Sequence, residues 1–144
     1  MAGMTYTAQA QVDLSTAEIY GRVLTELAAE HEDIVGLSAD LAKSTKIGLL
    51  GDKFPERFFN VGIAEQDMMG IAAGLAAAGF TPFVSTFAAF ASMRACEQVR
   101  TDICYNKKNV KIIATHTGTS FGQAGTTHHC TEDIAIMRSF AGMV

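Results

Sequence analysis

Apolar positions along this chain recur with two different periods. Over Thr16 to about Glu30 the residues Ile19, Val23, Leu24 and Leu27 fall on one helical stripe, with Glu18 and Arg22 placed to pair on the wet side. Ser15-Thr-Ala-Glu18 opens that segment as a capping box, in which serine and glutamate satisfy each other's backbone donors. In contrast, Ile34 to Leu41, Phe58 to Val61, Thr81 to Phe87 and Val110 to Thr115 are short apolar runs bounded by polar or turn residues, as buried parallel strands are. Pro82 stands at a strand entry, where a missing donor costs least.

Between the runs the helical period returns. Lys43 to Phe54 reads as a loop with a helical turn, stopped by Pro55. Asp67 to Gly79 is nearly all small or apolar, which predicts a helix buried on every side. Gly70 and Gly74 would let another backbone approach it, and Gly79 would close it. Ala88 to about Tyr105 repeats Phe90, Met93, Ala95, Val99 and Ile103 at helical spacing, with Arg94, Glu97, Arg100 and Asp102 largely elsewhere. A Gly-rich loop, Gly118 to Gly125, leads through Thr-Thr-His-His-Cys to a short helix over Glu132 to Phe140, capped by Thr131. Residues 1–12 lack periodicity and read as a loose arm.

This alternation predicts an α/β fold over residues 13–144, a parallel sheet with helices on both faces. Ligands in such folds bind beyond the carboxyl ends of the strands, where helix N-termini point. Asp40, Glu65, Phe87 and His116 each stand at or just beyond a strand end, so one end of the sheet collects them. On spacing alone Glu65 is equally well read as an acidic residue in a first helical turn, favoured there by the helix dipole.

Composition narrows the classes. The 144 residues are 49% apolar and 18% charged with a net charge of −4, a globular balance without the basic stripe that nucleic acid requires. A small phosphate-bearing ligand remains compatible. Cys96, Cys104 and Cys130 are an odd set without a CxxC pair; with no signal peptide in view they predict reduced thiols in the cytoplasm. The longest apolar stretch, Met68 to Val84, is broken by Gly, Thr and Pro, which predicts a core helix and strand instead of a membrane span.

The run Arg57-Phe-Phe-Asn-Val-Gly-Ile-Ala-Glu-Gln66 resembles the signature of the pyrimidine-binding domain of the transketolase family, and the likeness extends from about Thr16 to Phe140. The resemblance implies thiamine diphosphate as cofactor. It gives Glu65 the family's catalytic glutamate, which touches the aminopyrimidine and favours the imino tautomer whose exocyclic nitrogen removes the thiazolium proton. By the same likeness Phe87 and Phe90 pack on the pyrimidine, Asp40 lies close to the cofactor, His116 and His128 bond substrate oxygens in catalysis, and Ser44 lies near the substrate phosphate. Aromatics at the spacing of Phe87 and Phe90 are also common core residues. His129 and Cys130 read as loop leading into a helix; structural zinc sites use paired, more widely spaced ligands.

Two departures concern substrate contacts. Ala17 stands where the family usually places an arginine, and Gln123-Ala124-Gly125 where an acid and an aspartate precede the glycine. The Gly-Asp-Gly run that holds the diphosphate and magnesium is also missing, since Gly51-Asp52-Lys53 has a lysine in the last place and Asn60 follows too soon. Magnesium is therefore expected on an N-terminal transketolase-type subunit or on a part of the protein outside this sequence. The reading is one half of a split transketolase, transferring a two-carbon ketol unit between sugar phosphates. Alternatives are a deoxyxylulose phosphate synthase, a 2-oxoacid dehydrogenase beta-type subunit, or a non-catalytic assembly subunit. Met143-Val144 looks like the start of another strand, so later strands, a C-terminal domain and self-association are expected.

Overall fold

The computed structural model describes residues 15–144, and the arm expected over 1–12 lies outside the described residues. Four parallel strands, β1 (Ile34–Ser38), β2 (Phe58–Asn60), β3 (Thr81–Phe87) and β4 (Lys111–Thr115), form one sheet in the order β2-β1-β3-β4. Gly36 pairs with Phe58 on one side and Phe83 on the other, and Phe87 pairs with Thr115. β1 stops three residues short of the expected Leu41, because Asp40 takes a left-handed φ of 59° that no strand can continue.

The helices are α1 (Thr16–Glu30), α2 (Ala42–Thr45), α3 (Gly48–Lys53), α4 (Glu65–Ala77) and α6 (Asp133–Met137). Before α6 runs α5, an irregular helix made of a π-helical turn (Phe90–Arg94), a short α-helical piece (Cys96–Gln98) and a second π-helical stretch (Val99–Tyr105).

Several expectations are corrected. In α1 the buried face is Gly21, Leu24 and Ala28, whereas Ile19, Val23 and Leu27 are 42%, 45% and 38% exposed. Close approach decides this: a Cβ on Gly21 would stand 2.4 Å from the Lys46 carbonyl oxygen, so the helix seats its smallest face on the α2–α3 connection. The Glu18 N–H donates to Ser15 Oγ at 3.2 Å, half of the expected capping box, while the Glu18 carboxylate pairs with Lys46 at 3.5 Å instead of Arg22. At α6 the Glu132 carboxylate accepts from the Thr131 N–H, so Thr131 is not the cap.

α4 starts at Glu65, two residues before the expected Asp67, and it is not buried all round. Glu65, Met68, Met69, Ala72 and Ala73 face inward, but Ile71 and Gly74 face out, and a Cβ on Gly74 would meet nothing within 4 Å. The Phe80 N–H donates to Leu75 O and the Gly79 N–H to Ala76 O, a Schellman closure made possible by Gly79 at φ 100°.

Helices cover both faces of the sheet. Val35, Leu37 and Val84 pack against Met68, Met69 and Ala72 of α4 and Val99 and Ile103 of α5; on the other face Ile34 packs with Leu24, Ala28, Ile47 and Leu50. Each fully buried Leu, Val or Met contributes roughly 1.5–3 kcal/mol relative to exposure. That rigid sandwich fixes the four strand ends from which the site is built.

Candidate active site

The chain runs from β1 outward to β2, then returns through α4 to β3 on the far side of β1. The strand order therefore switches direction between β1 and β3, and the crevice beyond their carboxyl ends is where open α/β sheets take ligands. α4 begins with Glu65 after β2, and the bond from Arg94, which follows β3, ties Glu65 to that crevice. The four residues expected at this end do follow the four strands: Asp40 after β1, Glu65 after β2, Phe87 as the last residue of β3 and His116 directly after β4.

Glu65 is 1% exposed, yet its side chain does not cap its own helix. Oε2 accepts from Arg94 Nη1 at 2.8 Å, and Oε1 is buried with no hydrogen-bond partner among the described residues. A buried carboxylate oxygen left unmatched costs about 1–3 kcal/mol, so its presence calls for an explanation. A role for Glu65 confined to stabilising the helix dipole leaves that cost unexplained. Arg94 itself lies with its guanidinium 4.0 Å over the Phe90 ring.

From Phe90 the contacts run on through rings. Phe90 and Phe87 are stacked at 5.7 Å, His116 lies 4.3 Å from Phe87, and Phe121 meets Phe87 at 5.2 Å and His116 at 4.6 Å. His128 packs against Phe90 at 5.5 Å and Phe121 at 5.4 Å. Both histidines have Nδ1 next to the preceding threonine hydroxyl, Thr115 at 2.8 Å and Thr127 at 2.9 Å. A threonine that donates to Nδ1 leaves Nε2–H as the donor for an incoming oxygen. Burial pushes the His116 imidazole below its ordinary value, so the neutral form is favoured. The loop carrying Phe121 and His128 is closed at its base by a reciprocal pair, Gly118 N–H to Cys130 O at 2.6 Å and Cys130 N–H to Gly118 O at 2.9 Å. Cys130 is fully buried, with Sγ 3.4 Å from Ser92 Oγ, which is an anchoring position.

Residues 12–144 match the family model described as "Transketolase, pyrimidine binding domain". The chain belongs to the transketolase family. It is 51% identical over 125 residues to a Methanocaldococcus jannaschii protein that carries the name transketolase C-terminal section, covering 87% of this chain and 40% of that one. It is 43% identical over 120 residues to one of the subunits of the apulose-4-phosphate transketolase of Phocaeicola vulgatus, covering 83% and 38%. A solved split-gene transketolase, described as an inactive beta4 tetramer, superposes with a TM-score of 0.76 at 52% identity over 89% of this chain and 41% of that one. This chain thus spans about two fifths of the length of these relatives.

Thiamine diphosphate is the cofactor that transketolase-family membership implies, and Glu65 Oε1 is the feature of this domain that fits it: a dry acceptor without a partner at the switch point. Phe87, Phe90, His116 and His128 form one contiguous group with it through Arg94. Asp40 and Ser44 stand apart. The Asp40 N–H donates to Asn60 Oδ1 at 2.9 Å, which also accepts from the Gly62 N–H at 3.3 Å, so Asn60 ties the ends of β1 and β2. Ser44 is exposed on α2, and neither Asp40 nor Ser44 hydrogen-bonds to the ring group among the described residues. Ala17 is half-buried in the first turn of α1, and Ala124 ends a 3-10 turn in the loop.

Two members of the group lie outside the sequence-based expectation. Arg94 reads by period as a wet-side residue, although its place one turn beyond Phe90 is the spacing that sets a cation over a ring. Phe121 is a lone aromatic among small polar loop residues, a signal in itself. Among the described residues no cluster of three or more His, Cys, Asp and Glu could hold a metal ion.

Proposed function

We propose that this chain supplies the pyrimidine-binding half of a thiamine diphosphate enzyme that moves a two-carbon ketol unit between sugar phosphates. The observation that carries the reading is Glu65, a buried carboxylate with one oxygen anchored and the other unpartnered, at the switch point of a transketolase-family sheet. When bound, the cofactor supplies the carbanion chemistry that no protein side chain offers. The chain's own residues orient and gate it. Glu65 Oε1 is the hydrogen-bonding partner offered to the pyrimidine ring, and Phe87 and Phe90 offer an aromatic wall worth about 0.5–1.5 kcal/mol beyond area burial. His116 and His128 present Nε2 to substrate oxygens, with Asp40 and Ser44 reserved for the cofactor's edge and a substrate phosphate.

The magnesium and diphosphate belong to a partner chain of N-terminal transketolase type or to a part of the protein outside this sequence. Support comes from the lack of a Gly-Asp-Gly run here, from a relative that is named as one subunit of a transketolase, and from the split-gene relative described as an inactive beta4 tetramer. A cytoplasmic, oligomeric enzyme of carbohydrate metabolism fits this reading, and no helix among the described residues is long and apolar enough to cross a membrane. The test is reconstitution with a chain of N-terminal transketolase type that carries a Gly-Asp-Gly run, assayed with a ketose phosphate donor and an aldose phosphate acceptor. Transfer that needs both chains, thiamine diphosphate and magnesium is expected; transfer unaffected by omission of this chain would contradict it.

A further inference from the structure

Glu65 is buried, and its side-chain hydrogen-bond partner among the described residues, Arg94, is partly exposed. The carboxylate is 1% exposed and the guanidinium side chain 44% exposed, so the pair spans from buried core to solvent. One oxygen, Oε2, accepts from Nη1 at 2.8 Å; the other, Oε1, is also buried and has no hydrogen-bond partner among the described residues. A carboxylate free at both oxygens can rotate about its last side-chain torsion, whose preference is broad. Anchored at Oε2, it presents Oε1 in one direction only.

Arg94 is in turn held by its own surroundings. Its guanidinium lies 4.0 Å over Phe90, which stacks on Phe87 at the end of β3. The turn that carries both, Phe90–Arg94, is π-helical, with the Ala95 N–H donating to Phe90 O at 3.1 Å. A π turn inserts one residue into a helix, shifts the side chains beyond it, and is frequent at functional sites. A sheet end, a ring, a guanidinium and a carboxylate oxygen thus form one rigid series.

We propose that Arg94 is a positioning residue, which fixes the Glu65 carboxylate through Oε2 so that Oε1 meets the cofactor's pyrimidine in a single orientation. This rests on the reading of Glu65 given above. A purely structural ion pair between α4 and α5 is the competing explanation, and it makes different demands. If the pair only joins two helices, its loss lowers stability and leaves the chemistry of the bound cofactor alone. If it orients Glu65, its loss slows proton exchange at the thiazolium carbon even in enzyme that is folded and saturated.

The experiment compares Arg94→Met, Arg94→Lys and Glu65→Ala in the reconstituted enzyme, with three readouts: melting midpoint, thiamine diphosphate affinity by calorimetry, and exchange of the thiazolium proton with deuterium. Arg94→Met is expected to slow exchange about 10–100-fold, the scale of a misplaced catalytic group. Affinity should stay within roughly threefold, as a loss confined to the reacting arrangement requires. Arg94→Lys restores the charge without the planar fork, and its rate should fall between wild type and Arg94→Met. Exchange at the wild-type rate in Arg94→Met, with Glu65→Ala slow, overturns this inference and leaves the role of Glu65 standing. Exchange at the wild-type rate in Glu65→Ala overturns both. If Arg94→Met does not fold, Arg94→Lys decides: a slowed rate at unchanged affinity supports positioning, and a wild-type rate overturns it.

Discussion

The ring of His116 lies 4.3 Å from that of Phe87 because the last residues of two neighbouring strands are paired, Phe87 with Thr115. Sheet register, not loop chance, puts the imidazole beside the aromatic wall. His116 then turns off the strand with φ 58°, an unusual conformation for a residue with a Cβ, costing about 1–3 kcal/mol and typical of positions held for use.

His116→Ala is expected to lower turnover by about 10²–10⁴-fold, the usual contribution of a hydrogen-bonding or acid-base group, while cofactor affinity changes little. Steady-state rates at saturating cofactor alongside calorimetric titration separate the two. Lost affinity with normal turnover would make His116 a cofactor residue instead.

Burial also makes His116 a pH-sensitive part of the fold. Its pKa in the folded chain lies below the ordinary 6.5, so the neutral form is the native one and its contribution is fully present above that pH. As pH falls below 6.5 toward the folded value, protonation favours the unfolded chain and that contribution is lost. The melting midpoint should therefore drop between about pH 7.5 and 5.5 by less in His116→Gln than in wild type. Equal drops would show that burial of this ring is not felt.

Two glycines should respond to alanine in opposite ways. At Gly21 the new methyl meets the Lys46 carbonyl oxygen, a backbone atom, so Gly21→Ala should destabilise by about 1–3 kcal/mol through forced separation of α1 from the α2–α3 connection. At Gly74 there is open space, and the chain by itself should gain roughly 0.5–1 kcal/mol from the better helix former. Chemical denaturation of the purified chain reads both signs.

The strand ends are legible in the sequence because buried parallel strands leave contiguous apolar runs, and Thr81–Phe87 has the same limits in pattern and in structure. Glu65 and the histidines are legible through the wording of their motifs. Within the Arg57 to Gln66 run, however, the structure divides the work: Arg57 Nη1 donates to Ala28 O at 2.9 Å and His31 O at 3.1 Å, closing α1, and Asn60 ties two strand ends. A motif does not label which of its residues are scaffold. On α1, hydrophobic count favours Ile19, Val23, Leu24 and Leu27 as the inner face, whereas the close approach at Gly21 turns the helix so that only Leu24 of the four is buried. Arg94 is hidden from a periodic reading because its role depends on a π turn, a departure from the very period such a reading assumes.

The chain alone should bind thiamine diphosphate weakly, since Glu65, Phe87 and Phe90 address only the ring end of the molecule. Titration with cofactor and magnesium should show a large gain in affinity when a Gly-Asp-Gly-bearing chain of N-terminal transketolase type is added. Tight, magnesium-dependent binding by a monomer of this chain would contradict the division of the site.

The most direct measurement is proton exchange at the thiazolium carbon in the reconstituted, cofactor-saturated enzyme with Glu65 and with Glu65→Ala. Loss of the unpartnered buried oxygen at the switch point should slow exchange by at least about 10²-fold, the lower range for a positioned proton-transfer group, with the fold intact by its melting midpoint. Exchange at the wild-type rate in a folded Glu65→Ala enzyme would contradict the central role assigned to this carboxylate.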